Sequence, residues 1–127
     1  MQEKQLFEYA VIRIVPRVDR EEFLNVGVVL YCPGLKFLEL IYTLNKPRLL
    51  AFAPSLDMEE LSEHLAAFAD VVRGGVGGGP IGQLDLAGRF RWLTAQRSTV
   101  LQTSRVHPGF CTGPAEALKR LHDTLVL

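Results

Sequence analysis

The sequence predicts a single α+β domain: a mainly antiparallel sheet of about four strands with helices packed on it, spanning residues 1–127. Three observations carry this. Three β-rich runs follow one another with only short breaks in the first third of the chain. Helical periodicity then dominates. One further strand and one further helix close the chain, and strands grouped before helices point to α+β rather than to alternating βα units.

Leu6 to Val15, LFEYAVIRIV, is the first strand. Phe7, Tyr9, Val11, Arg13 and Val15 share one face; Leu6, Ala10, Ile12 and Ile14 share the other with Glu8. Two largely apolar faces predict a central strand covered on both sides, and Pro16 ends it because it cannot donate to the ladder. After the charged segment RVDREEF, Leu24 to Tyr31 is the second strand, in which Gly27 signals a bulge or a close backbone approach. Pro33-Gly34 is a turn, so Leu35 to Thr43 returns antiparallel as the third strand.

Asn45 to Ala53 reads as a short helical piece opened by Pro47. Asp57 to Arg73 is the clearest helix. Asp57 caps it, Glu60 stands at the capping-box position, Met58, Leu61, Leu65, Phe68 and Val72 form its stripe, and Gly74 stops it. Residues 73–80, RGGVGGGP, follow a helix and carry no Lys-Ser/Thr, so they read as a mobile linker and not as a phosphate loop. Leu84 to Ala95 offers Leu86, Phe90 and Leu93 at helical spacing, with Gly88 weakening it. Thr99 to Val106 is the fourth strand, broken by Pro108 and Gly109. Pro114 opens a last helix with Glu116 in its first turn and Leu118, Leu121 and Leu125 as its stripe.

Composition sets the function classes. The chain is 48% apolar and 22% charged, and fourteen Lys plus Arg balance fourteen Asp plus Glu. A domain of this length buries roughly two thirds of its unfolded surface, enough for a core without disulfides or metals. A neutral chain without a helix-turn-helix pattern is a poor nucleic-acid binder, since phosphate neutralisation supplies the affinity there. Most of the basic residues are Arg, which fits either a GC-rich coding bias or planar recognition of carboxylate and phosphate. The opening MQEKQLFEYAV has no apolar core of a signal peptide, and no run of about 18 apolar residues occurs, which predicts a cytoplasmic protein with reduced Cys32 and Cys111 and no membrane partner.

Chemistry is sparse. His107 and Cys111 form one loose pair, with Cys32, His64 and His122 scattered, which is not the doubled close spacing of structural zinc; neither metal nor cofactor is expected. The same Cys111–His107 proximity is the weakest form of a nucleophile–base pair. Acid–base chemistry by carboxylates could use Glu21, Glu22 or Glu39, the first two reading as a solvated helical turn. The cluster of interest is Arg13 on the central strand, with Asn25 and Gly27 on the next. A buried guanidinium needs a carboxylate or a bound anion. Either Glu22 supplies the charge and locks the sheet, or Arg13 holds a ligand's carboxylate or phosphate with Arg48 or Arg105 helping. Asn25 and Gly27 also fit a purely conformational role at the strand's start.

Tyr9 to Pro16, YAVIRIVP, followed by Glu21 to Pro33, EEFLNVGVVLYCP, resembles the opening signature of the bacterial domain-of-unknown-function family numbered three-zero-three-seven. Arg48-Leu49, Arg89 to Leu93 and the closing helix fit as well, so the resemblance covers nearly the whole chain. It implies a small stand-alone domain whose gene neighbours encode HipA-like kinases, and hence a two-component module of toxin–antitoxin type. Arg13, Glu22, Phe23, Asn25 and Gly27 match its motifs without assigned roles. Two function classes follow. One is a non-catalytic interaction or regulatory module working with a HipA-like kinase, with a free sheet edge that also permits a homodimer. The other is a binder of a small anionic ligand, or an enzyme, built on Arg13, Glu22 and Asn25.

Overall fold

The structure is a computed structural model that describes residues 3–127. Five antiparallel strands form one sheet: β1 (Gln5–Ile14), β2 (Leu24–Cys32), β3 (Phe37–Tyr42), β4 (Leu101–Thr103) and β5 (His107–Cys111). The order is β3-β2-β1-β4, with β5 also on β1. β1 is central, as its two apolar faces require. Its first half pairs with β5 from Gln5↔Cys111 to Tyr9↔His107, and its second half with β4 from Ile12↔Thr103 to Ile14↔Leu101. β4 and β5 are therefore two halves of one interrupted edge. Ser104 bridges the interruption: its backbone N–H donates to the Val11 carbonyl, and its hydroxyl accepts from the Val11 N–H, each at 2.8 Å.

The two faces of β1 feed two cores. Ala10, Ile12 and Ile14 pack with Val29, Leu38, Leu49, Leu61, Leu65, Phe68, Phe90 and Leu93. This layer is built by α1 (Lys46–Phe52), α2 (Met58–Arg73) and α4 (Leu86–Leu93). Phe7 packs with Val28, Leu30, Cys32, Cys111, Ala117 and Leu118 beneath a single helix, α5 (Pro114–Leu125). Asp57 caps α2 as the sequence predicts, and Asn45 and Asp85 cap α1 and α4 in the same way. Asn45 accepts from the Arg48 N–H, and Asp57 from the Glu60 N–H, each at 3.1 Å. Asp85 accepts from the Gly88 N–H at 2.7 Å.

Gly27 answers both readings of it. The register slips between Ile12 and Arg13, which pair with Gly27 and Asn25, so Val26 is the bulged residue. A Cβ at position 27 would lie 2.8 Å from the Ile41 carbonyl oxygen, so only glycine admits β3 here.

Three expectations are corrected. Pro108 and Gly109 do not merely end a strand; they lie inside β5, so the sheet has a fifth strand. Proline is tolerated because β5 is an edge, and the Phe7 ring occupies the space a side chain at position 109 would need. The fourth strand is shorter than Thr99 to Val106. The glycine segment is not a loose linker either. It folds into a 3-10 turn (Val76–Gly78) and one helical turn, α3 (Gly79–Gly82). The Gly75 N–H donates to the Gly82 carbonyl at 2.9 Å, and a Cβ on Gly82 would lie 2.5 Å from the Gly75 oxygen, so the glycines serve close backbone packing. Among the described residues no helix is long and apolar enough to cross a membrane.

Candidate functional site

The five singled-out residues do not share one cleft. β1 and β2 set Arg13 opposite Asn25, but their side chains have different occupations. Asn25 Nδ2 donates to the Leu125 carbonyl at 3.1 Å. Arg48 Nη1, from α1, donates to the next carbonyl, Val126, at 3.0 Å. Together they hold the C-terminal end of α5, whose last carbonyls have no partner within the helix. The cation also meets the negative end of the helix dipole there. Between them lies a cavity of about 230 Å³ lined by Asn25, Thr43, Arg48 and Val126 among others. His122, buried on α5, approaches from behind, its Nε2 3.0 Å from the Thr43 hydroxyl.

Glu22 is not the counter-ion of Arg13. It pairs with Arg20 on the surface. It lines a separate cavity of about 310 Å³ with Arg17, Phe52 and Ser55. The short 3-10 turn at Val18–Arg20 turns these side chains outward, leaving both members of the pair half-exposed, where an ion pair contributes little. Arg105 is exposed on the connection between β4 and β5.

Arg13 stands apart. Its guanidinium lies over the Phe23 ring, 4.2 Å from the centroid. Its Nε is shut off from solvent without a hydrogen-bond partner among the described residues. It lines a cavity of about 310 Å³ with Val15, Val18, Glu21, Phe23 and Gln102. The other partly buried arginines are used differently. Arg89 donates to the Val71 and Val72 carbonyls at the end of α2. Arg97 donates to those of Trp92 and Leu93 at the end of α4, stacked on the Phe68 and Trp92 rings, and burial lowers its pKa. Three of the ten arginines thus close helix ends with a multi-donor planar fork that lysine lacks. Nothing in residue spacing marks Arg89 for this task, because its acceptors lie 17 and 18 residues away in sequence; Arg97 stands only four and five residues beyond the carbonyls it closes.

The remaining candidates separate too. His107 leaves Cys111 and stacks on Tyr9 with ring centroids 5.4 Å apart. Cys111 is buried in the α5 layer. Burial pushes its thiol up, and neighbouring Cys32 adds to the rise, the opposite of what an activated thiolate needs.

The two opening motifs thus build the central pair of strands, the bulge at Gly27 and the Arg13–Phe23 stack. Residues 9–126 match a family model described as "Protein of unknown function (DUF3037)". No curated protein and no solved structure matches the chain. With all but the first eight residues and the last one inside the match, the chain belongs to the DUF3037 family.

Proposed function

We propose that this protein is a non-catalytic interaction module that regulates a cytoplasmic HipA-like kinase, docking through the outer end of β1 and β5. The kinase is the partner class that the resemblance to the family implies. The observation carrying the reading is a cross-strand apolar pair left in solvent: Leu6 on β1 stands directly opposite Phe110 on β5. They are 47% and 66% exposed. Directly opposed large apolar side chains form one continuous surface, and an aromatic anchor of this kind is what a partner's pocket buries at the centre of an interface. β5 is also an edge strand, open to a partner's backbone on its outer side.

Supporting this, Asn25 and Arg48 are engaged with α5, so those two polar groups serve the fold. The test is co-purification of the tagged protein with a HipA-like kinase from the same organism, followed by a kinase assay with and without it. A stable complex with altered kinase activity is expected, and Phe110→Asp, folded by circular dichroism, should abolish it. No complex, or one indifferent to Phe110→Asp, overturns the reading. A homodimer dissolved by Phe110→Asp would replace the kinase with a second copy of this chain.

A further inference from the structure

We propose that the cleft around Arg13 is a recognition site for a carboxylate carried on an apolar body. The site lies at the far end of β1 from Leu6, roughly 23 Å away at about 3.3 Å per residue, and its test does not depend on the kinase reading.

The argument starts from an unmet need. Arg13 projects from the central strand between Asn25 and Gln102, its ladder neighbours on either side. Asn25 is committed to the Leu125 carbonyl. No carboxylate or carbonyl of the described residues accepts from the Arg13 guanidinium, and its Nε–H is buried without an acceptor. A buried donor left in this state costs stability. Phe23 occupies one side of the guanidinium, 4.2 Å from the ring centroid, so ligand oxygens are left the donors at its edge, which can grip a carboxylate with two parallel hydrogen bonds.

The lining selects the ligand. Phe23 and Val18 are 46% and 49% exposed, so an apolar flank would meet hydrocarbon beside the charge. Gln102 commits one amide hydrogen to the Thr99 carbonyl at 2.8 Å and retains another for a ligand oxygen. Glu21 sits on the same cavity with a left-handed backbone, φ 56°, a conformation uncommon outside glycine. Glu21 on the same cavity repels a dianionic phosphate about twice as strongly as a monoanion at the same distance, so a monoanion on the Arg13 side is favoured.

The full chain should be titrated with phenylacetate while the Arg13 Nε–H and Gln102 side-chain amide signals are followed by nitrogen-15 NMR, with benzyl alcohol and inorganic phosphate as parallel probes. Both signals should move saturably with phenylacetate and stay still with the other two. R13M should remain folded with an undiminished melting temperature, because it removes an unsatisfied donor, and should bind at least about tenfold more weakly through loss of the fork. R13K, which keeps the charge without the fork, should lose affinity likewise and carries the test should R13M unfold. An apolar tripeptide with a free C-terminus, compared with its amide, separates the two sources of this chemistry. Tighter binding of the free peptide than of phenylacetate marks a protein chain end; equal binding marks a small organic acid. Signals unmoved by phenylacetate and peptide, equal response to phosphate, or full binding by R13K overturns the proposal.

Discussion

The two faces of the sheet solve the same problem with different materials. The face under α1, α2 and α4 is the larger apolar layer, and its arginine bonds, from Arg89 and Arg97, tie helix ends within the layer. It closes over fully buried Ile12, Ile14, Leu49, Leu65 and Leu93. The face under α5 has a smaller apolar patch and finishes with hydrogen bonds: Asn25 and Arg48 to the last carbonyls, and Thr43 to His122. A sheet face covered by several helices can rely on area, since burial contributes about 25 cal/mol per Å². A lone helix must also be fixed in position along the sheet, and directional bonds at its end do that. The arrangement teaches that the polar residues near Arg13 are not a single reactive cluster. Some hold α5, and one is left over.

This contrast can be broken. Leu65→Ala under α2 should cost the most, about 2–5 kcal/mol in chemical denaturation. Gly27→Ala comes next, because the new Cβ meets the backbone of β3. A loss of about 1–3 kcal/mol is expected for such overpacking. Arg48→Met should cost about 1 kcal/mol, the value of a solvent-screened charge-assisted bond. Its effect should be local: amide exchange at the end of α5 should quicken while α2 keeps its protection. Uniform acceleration across both helices would show that the two faces are one cooperative unit.

The smallest effect concerns Cys111. Its thiol pKa is raised in the folded state by burial and by Cys32. The native state therefore holds the proton more tightly than the unfolded chain. Stability from this source is complete below the ordinary thiol pKa and declines as pH rises from there through the raised value. Denaturation at pH 7 and pH 10 should show a small loss that Cys111→Ser reduces, and alkylation of the native protein should be slow.

Much of the architecture was legible because it depends on local rules. The two apolar faces of Phe7 to Val15 required a central strand, Pro33-Gly34 a tight turn, and Asp57 with Glu60 a helix start. The failures share a cause: the deciding contact lies far away in sequence. Pro108 and Gly109 break a strand by local propensity, yet an edge position beside Phe7 accommodates both. GGVGGGP has a linker's composition, yet Gly75 and Gly82 close on each other. Of the five candidate residues, Arg13 reads as a charge on a covered strand, and the structure places it on the central strand with its Nε buried. Asn25 and Arg48 meet at α5, a role that depends on where the chain ends up in space. Proximity in sequence offers Glu22 as one candidate partner of Arg13, but beyond the 3-10 turn at Val18–Arg20 it pairs with Arg20.

The central strand has a consequence for the order in which the protein is made. β1 leaves the ribosome first among the strands, but the Val11 N–H finds its partner only in Ser104, 93 residues later. At about 5–20 residues per second, that interval lasts several seconds. Through it, β1 can pair with β2, but its other side stays open. A nascent chain in this state exposes an apolar strand edge, so translation pauses before residue 101 should raise misfolding more than pauses after residue 111.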